Sequence, residues 1–273
     1  MKKTLVIGVV GRKKSGKTTV VEYLIRKLVK EGYSVSAAKH VNQDDFSMDV
    51  RGKDTWRHAE AGANPVISVS NLETAVLMKD GISKFSASEL VKLTPETDVT
   101  VLEGFSRIIL QNEQIAKIVC VRDEKEYQMF EKTTEGEIIA FCSFQSVAGN
   151  VLNIQEDSKT LARLTLEYVK REMEILEILR KLPSLDCGKC GYSSCYDMAT
   201  AIHQESTKME ECVPLNLKSK LKTKIVVGKV DVPIQPFVSR ILRNTFLGMV
   251  SSLKGVSIEG DENIQIKISK EPL

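Results

Sequence analysis

The chain has 273 residues with 39 Lys and Arg against 36 Asp and Glu, a net charge of +3. That balance gives no general attraction to nucleic acid, and 5% aromatic content leaves little for stacking single strands, so no nucleic-acid partner is expected. No apolar run approaches the roughly 20 residues of a membrane helix, so no membrane partner is expected either.

The first apolar run, residues 5–10, contains Gly8 and leads straight into Gly11-Arg12-Lys13-Lys14-Ser15-Gly16-Lys17-Thr18-Thr19. The run is too short for a secretory leader and reads as a buried strand, which makes the expected location cytoplasmic. Residues 11–18 fit G-x-x-x-x-G-K-[ST], the loop that wraps phosphate between a strand and a helix. Gly11 and Gly16 clear side chains from the backbone N–H groups, and the following helix aims its positive end at the same anion. Lys17 is expected to reach the β- and γ-phosphates, and Thr18 to ligate Mg²⁺.

The next segments alternate. Val20, Val21, Leu24, Ile25, Leu28 and Val29 predict a helix from Lys17 to about Glu31, and residues 33–40 a strand. A polar loop over 41–52 precedes a short helix at 53–61, stopped by Gly62. Residues 65–70 and 74–79 read as a strand pair. Ser86 with Glu89 three residues on marks a capped helix over 86–93. Further strands are expected at 98–102, 115–121 and 138–142, and a long helix at 157–182. Strands alternating with helices define the expected fold class: α/β, with a mostly parallel sheet.

A phosphate loop needs an acid for Mg²⁺ at a neighbouring strand end, and Glu103 after Val99-Thr-Val-Leu is the candidate. In the loop after the second strand, Asp44, Asp45 and Asp49 are candidates to hold Mg²⁺ through water; Asp45 is the one assigned. Lys39, Arg51 and Arg57 are candidate phosphate contacts, while His40 and His58 read as structural. No Asn-Lys-x-Asp guanine reader is present, and Asp123, just after a strand, is the candidate base contact, with a plain turn residue as the competing reading.

The second signal is Cys187-x₂-Cys190-x₄-Cys195-x₁₆-Cys212. Four thiolates suit a [4Fe–4S] cluster or tetrahedral zinc, and a single C-x-x-C knuckle fits a zinc ribbon poorly. Tyr196–Glu211 reads as a helix that returns the chain to Cys212. Cys120 and Cys142 lie on apolar strands and read as inert. From 218 to 254 there are eight Lys or Arg (218, 220, 222, 224, 229, 240, 243, 254) against Asp231 alone, read as a solvated face. A strand over 224–232, a helix over 236–253, strands at 256–258 and 264–268, and a turn at 260–263 complete the chain.

The order and spacing of Gly11–Thr19, Lys39-His40, Gly52–Gly62 and Val101–Phe105 resemble the MobB-type molybdopterin-guanine dinucleotide biosynthesis proteins over about residues 1–175. That family is a P-loop GTPase related to metal-insertion GTPases. The resemblance implies GTP and Mg²⁺ as cofactors, with Gly11–Thr19 on the phosphates and Lys17 and Glu103 as catalytic residues. It implies a molybdopterin guanylyltransferase or molybdoenzyme maturation partner, and a homodimer as an available state. Asn42, Gln43 and Ser47 interrupt the family's histidine-rich loop, and Arg51 replaces a common proline. The Cys-Gly-x-Cys-Gly-Tyr-x-x-Cys stretch resembles the [4Fe–4S] domain of corrinoid iron–sulfur proteins and of Rnf-type electron-transfer complexes.

Together these imply three parts: a nucleotide domain at 1–175, an iron–sulfur domain at 176–217 and a small αβ module at 218–273. The expected function is a weakly hydrolysing GTP-binding adapter in molybdenum or tungsten pterin cofactor synthesis. The competing readings are a nucleotide-gated electron-transfer or redox-sensing protein and, less favoured because no second substrate motif shows, a small-molecule kinase.

Overall fold

The computed structural model describes residues 4–43, 45–79, 85–94, 96–215 and 223–255. The chain divides into two units, residues 1–172 and 173–273.

The first unit is built on β1 (Leu5–Gly11), which is buried along nearly its whole length and so sits mid-sheet. It is followed by α1 (Lys17–Lys30), β2 (Val35–Lys39), α2 (Asp54–Glu60), β3 (Val66–Val69), β4 (Thr74–Leu77), α3 (Ala87–Lys92), β5 (Val99–Glu103), α4 (Ser106–Ile109), β6 (Ala116–Cys120), α5 (Glu124–Thr133), β7 (Ile138–Ser143), β8 (Val151–Asn153) and α6 (Ser158–Lys181), which runs on into the second unit. Six strands form one parallel sheet in the order β2-β5-β1-β6-β7-β8. Parallel strands end on the same side, so the residues that close β1, β2, β5, β6 and β7 share one edge. Ligands of open α/β sheets bind at that edge.

The two faces of the sheet follow from the alternation of side chains along each strand. Val10, Leu102, Val119, Val121 and Phe141 pack with Ala87, Leu90, Ile109 and Phe130 in one core cluster. Gly8 belongs to this face. A Cβ on it would lie 2.5 Å from Ile109 Cγ2, so glycine lets α4 close on β1. The opposite parity, Ile7 and Val9, is fully buried, and α1 contributes Val20, Val21, Leu24 and Leu28 as its buried stripe. Each such aliphatic side chain stabilises the fold by about 1.5–3 kcal/mol.

The expected strand pair at 65–79 forms as β3–β4, antiparallel and outside the main sheet. Ser86 and Glu89 make the reciprocal capping box of α3. Three elements were not anticipated. α4 is a single turn, β8 has three residues, and α5 is so polar that only Glu126 and Phe130 are buried.

In the second unit, α6 contributes Ile175 to a core completed by Leu182, Met198, Ala199 and Cys212. α7 (Cys195–His203) is capped by a Ser194–Asp197 box and stops at His203. The expected helix to residue 211 is therefore two pieces, the second a 3-10 turn at Met209–Glu211. The expected strand over 224–232 is a hairpin, β9 (Ile225–Val227) and β10 (Val230–Val232), because Gly228 takes φ +64°. α8 (Pro236–Ser251) follows, with proline in its first turn. The strands expected at 256–258 and 264–268, and the turn between them, lie outside the described residues. No helix among the described residues is long and apolar enough to cross a membrane.

Candidate nucleotide and cysteine sites

The loop between β1 and α1 is shaped by backbone conformations that require glycine. Gly11 has φ +145°, and a Cβ on it would lie 2.2 Å from the Cys120 carbonyl oxygen on the neighbouring β6. Gly16 has φ +89°, and a Cβ there would lie 2.2 Å from the Phe144 ring. Lys14 takes φ +64° at the loop's tip. Gly16 is also the N-cap of α1. It supplies no side-chain cap, and the first turn carries no acid, so the helix's amino end is left to an anion. Arg12, Lys13, Lys14, Thr18 and Thr19 are exposed, and Ser15 is buried with its Oγ unpartnered among the described residues.

Lys17 Nζ donates to the Arg12 carbonyl at 2.6 Å across the loop. Burial lowers its pKa from the ordinary lysine value, with Cys120 and Glu103 pulling the other way. The carboxylate of Glu103, 7% exposed, ends β5 beside β1. It accepts the Thr18 hydroxyl at 2.6 Å and pairs with Lys39 Nζ at 2.8 Å, on the same oxygen. Gly104, at φ +85°, turns the chain at once, and its N–H donates to the Val9 carbonyl. The expected Mg²⁺ pair, Thr18 and Glu103, is thus brought into direct contact. A hydroxyl and a carboxylate are the hard oxygen donors that Mg²⁺ takes, and the glycine cradle beside them fits phosphate. These residues fit a Mg²⁺–nucleotide.

Other candidates are placed elsewhere. Asp45 is exposed in the loop after β2, and Asp44 lies outside the described residues. Asp49 accepts the Thr55 hydroxyl at 2.7 Å and pairs with Lys79 at 3.4 Å. Arg51 lies over the Trp56 ring and Arg57 pairs with Asp54. Asp123 follows β6 and uses Oδ1 to cap α5 through the Glu126 N–H at 2.9 Å. His40 packs its ring on Phe105 and donates its backbone N–H to the Glu103 carbonyl, tying β2 to β5.

Three neighbours of the loop were not singled out from sequence. Phe144, just past β7, lies against Gly16. Glu126, 4% exposed, binds Arg122 through Nε at 2.8 Å and faces Arg12 at 3.6 Å. Met129 Sδ receives Arg12 at 3.5 Å. All three follow strands β6 and β7, and only the topology reveals that β6 lies beside β1 and β7 beside β6. Cys120 and Cys142 are opposite each other in adjacent strands and fully buried. Burial pushes the Cys120 thiol up to about 12 and Cys142 well above its ordinary value, so both are inert thiols.

In the second unit, Cys190, Cys195 and Cys212 border one apolar cluster. Cys212 is 3% exposed, and burial raises its pKa against the lowering effect of a backbone hydrogen bond with Leu215, with the other three cysteines adding to the rise. Ser184, Asp186, Gly188 and Gly191 all take positive φ, which winds the segment tightly. Gly191 N–H closes a turn on the Gly188 carbonyl, and Asp186 accepts the Cys195 N–H at 2.6 Å. Among the described residues no three His, Cys, Asp or Glu side chains are arranged to hold a metal ion as they stand. The donor set itself, four free thiols on a glycine-relieved loop, fits thiophilic iron.

A parallel sheet, a glycine cradle at the end of its central strand and an acid on the next strand define a P-loop nucleotide-binding protein of the α/β class. The sequence profile described as "Molybdopterin guanine dinucleotide synthesis protein B" matches residues 6–144, and a second, "Putative Fe-S cluster", matches residues 182–214. The chain belongs to the MobB family, carried together with an iron–sulfur-type segment. It is 28% identical over 267 residues to a "Putative molybdopterin-guanine dinucleotide biosynthesis adapter protein" of Methanocaldococcus jannaschii, covering 97% of this chain and 98% of that one. A 49-residue match at 41% identity joins 18% of the chain to 29% of a component of the ion-translocating oxidoreductase complex of Buchnera aphidicola. A crystal structure of molybdopterin-guanine biosynthesis protein B superimposes with a TM-score of 0.47 and 22% identity over 61% of this chain and 99% of that one.

Proposed function

We propose that this chain is a GTP-binding adapter in the synthesis of molybdenum or tungsten molybdopterin guanine dinucleotide cofactors, with a [4Fe–4S] cluster that serves redox chemistry or docking. The observation that carries the reading is the Thr18–Glu103 contact at the rim of the Gly11–Gly16 cradle. Gly11–Thr19 would hold the phosphates, and Thr18 and Glu103 the Mg²⁺, with Asp45 as a more distant carboxylate reached through water. Bound there, Mg²⁺ would neutralise phosphate charge and make the anhydride susceptible to water. Lys17, on the same rim, would place its ammonium on the β- and γ-phosphates. Asp123, one strand over from β1, is assigned to the base.

Cys187, Cys190, Cys195 and Cys212 would hold the cluster, which when bound would supply one-electron chemistry. Asp186 holds the Cys195 N–H and the Gly188–Gly191 turn sets the loop. We assign residues 176–217 to this domain and 218–273 to a separate basic module. The partner is a molybdopterin guanylyltransferase or a molybdoenzyme under maturation. The exposed apolar residues of β3–β4, Ile67, Val69, Leu72 and Val76, support self-association as a homodimer.

Titration of the full-length protein with GTP and ATP, followed by phosphate release, tests the nucleotide half. Preference for GTP with slow release supports it. Rapid phosphoryl transfer to a small acceptor contradicts it in favour of a kinase. A cluster potential that moves when nucleotide binds favours nucleotide-gated redox sensing instead.

A further inference from the structure

Lys39, the last residue of β2, stands on the Thr18–Glu103 pair. Its Nζ is 2.8 Å from Glu103 Oε1 and 3.1 Å from Thr18 Oγ1, while the Thr18 hydroxyl donates to that same carboxylate oxygen at 2.6 Å. Glu103 is buried, and a buried carboxylate needs a counter-charge, which this ammonium supplies. The Lys39 side chain is itself 53% exposed, so its ammonium is free to reorient toward solvent.

Resting on the function proposed above, the same two oxygens are the ones assigned to Mg²⁺. The Thr18 oxygen already accepts from Lys39, which occupies one of its two lone pairs. Mg²⁺ also demands oxygens at about 2.0–2.1 Å in near-octahedral array. An ammonium about 3 Å from the same oxygens would crowd the ion's shell and repel its charge. Burial first, and the charge of Lys39 after it, lower the Lys17 pKa. An entering triphosphate offers both lysines a partner.

We propose that Lys39 and Mg²⁺ exclude each other at Thr18–Glu103, and that on binding of the metal–nucleotide Lys39 moves to the terminal phosphate and so distinguishes a triphosphate from a diphosphate. Lys39 then acts as a specificity residue.

Mn²⁺, followed by electron paramagnetic resonance, is the probe, used with the full chain and without nucleotide. A unit positive charge about 4 Å from a divalent ion weakens its binding by about tenfold or more even at the dielectric constant of water. Lys39→Met is therefore expected to bind Mn²⁺ at least about tenfold more tightly than wild type. Lys39→Gln, which keeps polarity without charge, should do the same and covers a failure of the Met variant to fold. Lys39→Arg should stay near wild type. Adding Glu103→Gln to Lys39→Met should abolish the gain, which places the ion at this carboxylate. With Mg²⁺ present, both neutral variants should lose most of the preference for GTP over GDP. If the wild type binds Mg²⁺–GTP while the neutral variants match it in Mn²⁺ affinity and GTP/GDP ratio, Lys39 is only the counter-ion of Glu103 and the inference is overturned alone. If the wild type binds no nucleotide, the proposed function falls and takes this inference with it.

Discussion

Replacing Gly11 by alanine puts a methyl group where the fold leaves no space. The new Cβ would lie 2.2 Å from the Cys120 carbonyl oxygen and 2.6 Å from Ser15 Oγ. Cys120 is paired in register with Gly11 on the adjacent strand, so its carbonyl cannot swing aside as a side-chain tip would. The φ of +145° costs a non-glycine residue about 1–3 kcal/mol. The clash adds about 1–3 kcal/mol of overpacking, for about 2–6 kcal/mol together. Gly32→Ala is the internal control. It shares a positive φ, +91°, but has nothing within 4 Å of the new methyl, so only the conformational cost of about 1–2 kcal/mol applies. Trp56 is the chain's single tryptophan and lies in the first unit, so its fluorescence during urea unfolding reports on that unit. The expected result is a lower midpoint at unchanged slope for both variants, with Gly11→Ala weaker by about 1–3 kcal/mol than Gly32→Ala. Equal losses would refute the claim that the close approach of β6 is what demands glycine at the loop's entry.

Other consequences follow from single contacts. Glu103→Gln keeps an acceptor for the Thr18 hydroxyl but removes the charge that pairs with Lys39; Mg²⁺-dependent GTP binding should weaken by about 2 kcal/mol or more in calorimetry, while Mg²⁺-independent binding changes little. Lys117 is fully buried and donates to the carbonyls of Asn112, at 2.6 Å, and Glu135. Lys117→Met strands both acceptors and should lower stability by about 2–4 kcal/mol in the Trp56 assay; a loss below about 0.5 kcal/mol would show that those carbonyls find other partners. Cys195→Ser should strip the brown absorbance from anaerobically purified protein without changing GTP affinity, and an unaltered spectrum would remove Cys195 from the ligand set. Ser86→Ala breaks the capping box of α3 and should cost about 1 kcal/mol in the same unfolding assay.

Where local chemistry decides structure, the sequence was readable. The Gly11–Thr18 spacing, the apolar run into Glu103 and the Ser86–Glu89 box each carry their own physical cause, and each element stands where it was expected. Elements whose cause is tertiary were not readable. α5 buries only two side chains, one of them Glu126, so no apolar period announces it. The break at Gly228 turns one expected strand into a hairpin through a single backbone angle. The site followed the same division. Thr18 and Glu103 were paired by motif logic. That Phe144 packs on Gly16, and that Lys39 reaches Glu103 rather than waiting for phosphate, depend on which strands end side by side. No spacing within the chain records that.

The assignment of two sites to one chain is tested most directly by purifying the full-length protein without oxygen and measuring iron, acid-labile sulfide, zinc and bound nucleotide in the same sample. Four cysteines holding a [4Fe–4S] cluster predict about four iron and about four sulfide per chain, together with guanine nucleotide and no stoichiometric zinc. One zinc per chain with no sulfide, or adenine nucleotide in place of guanine, would contradict it.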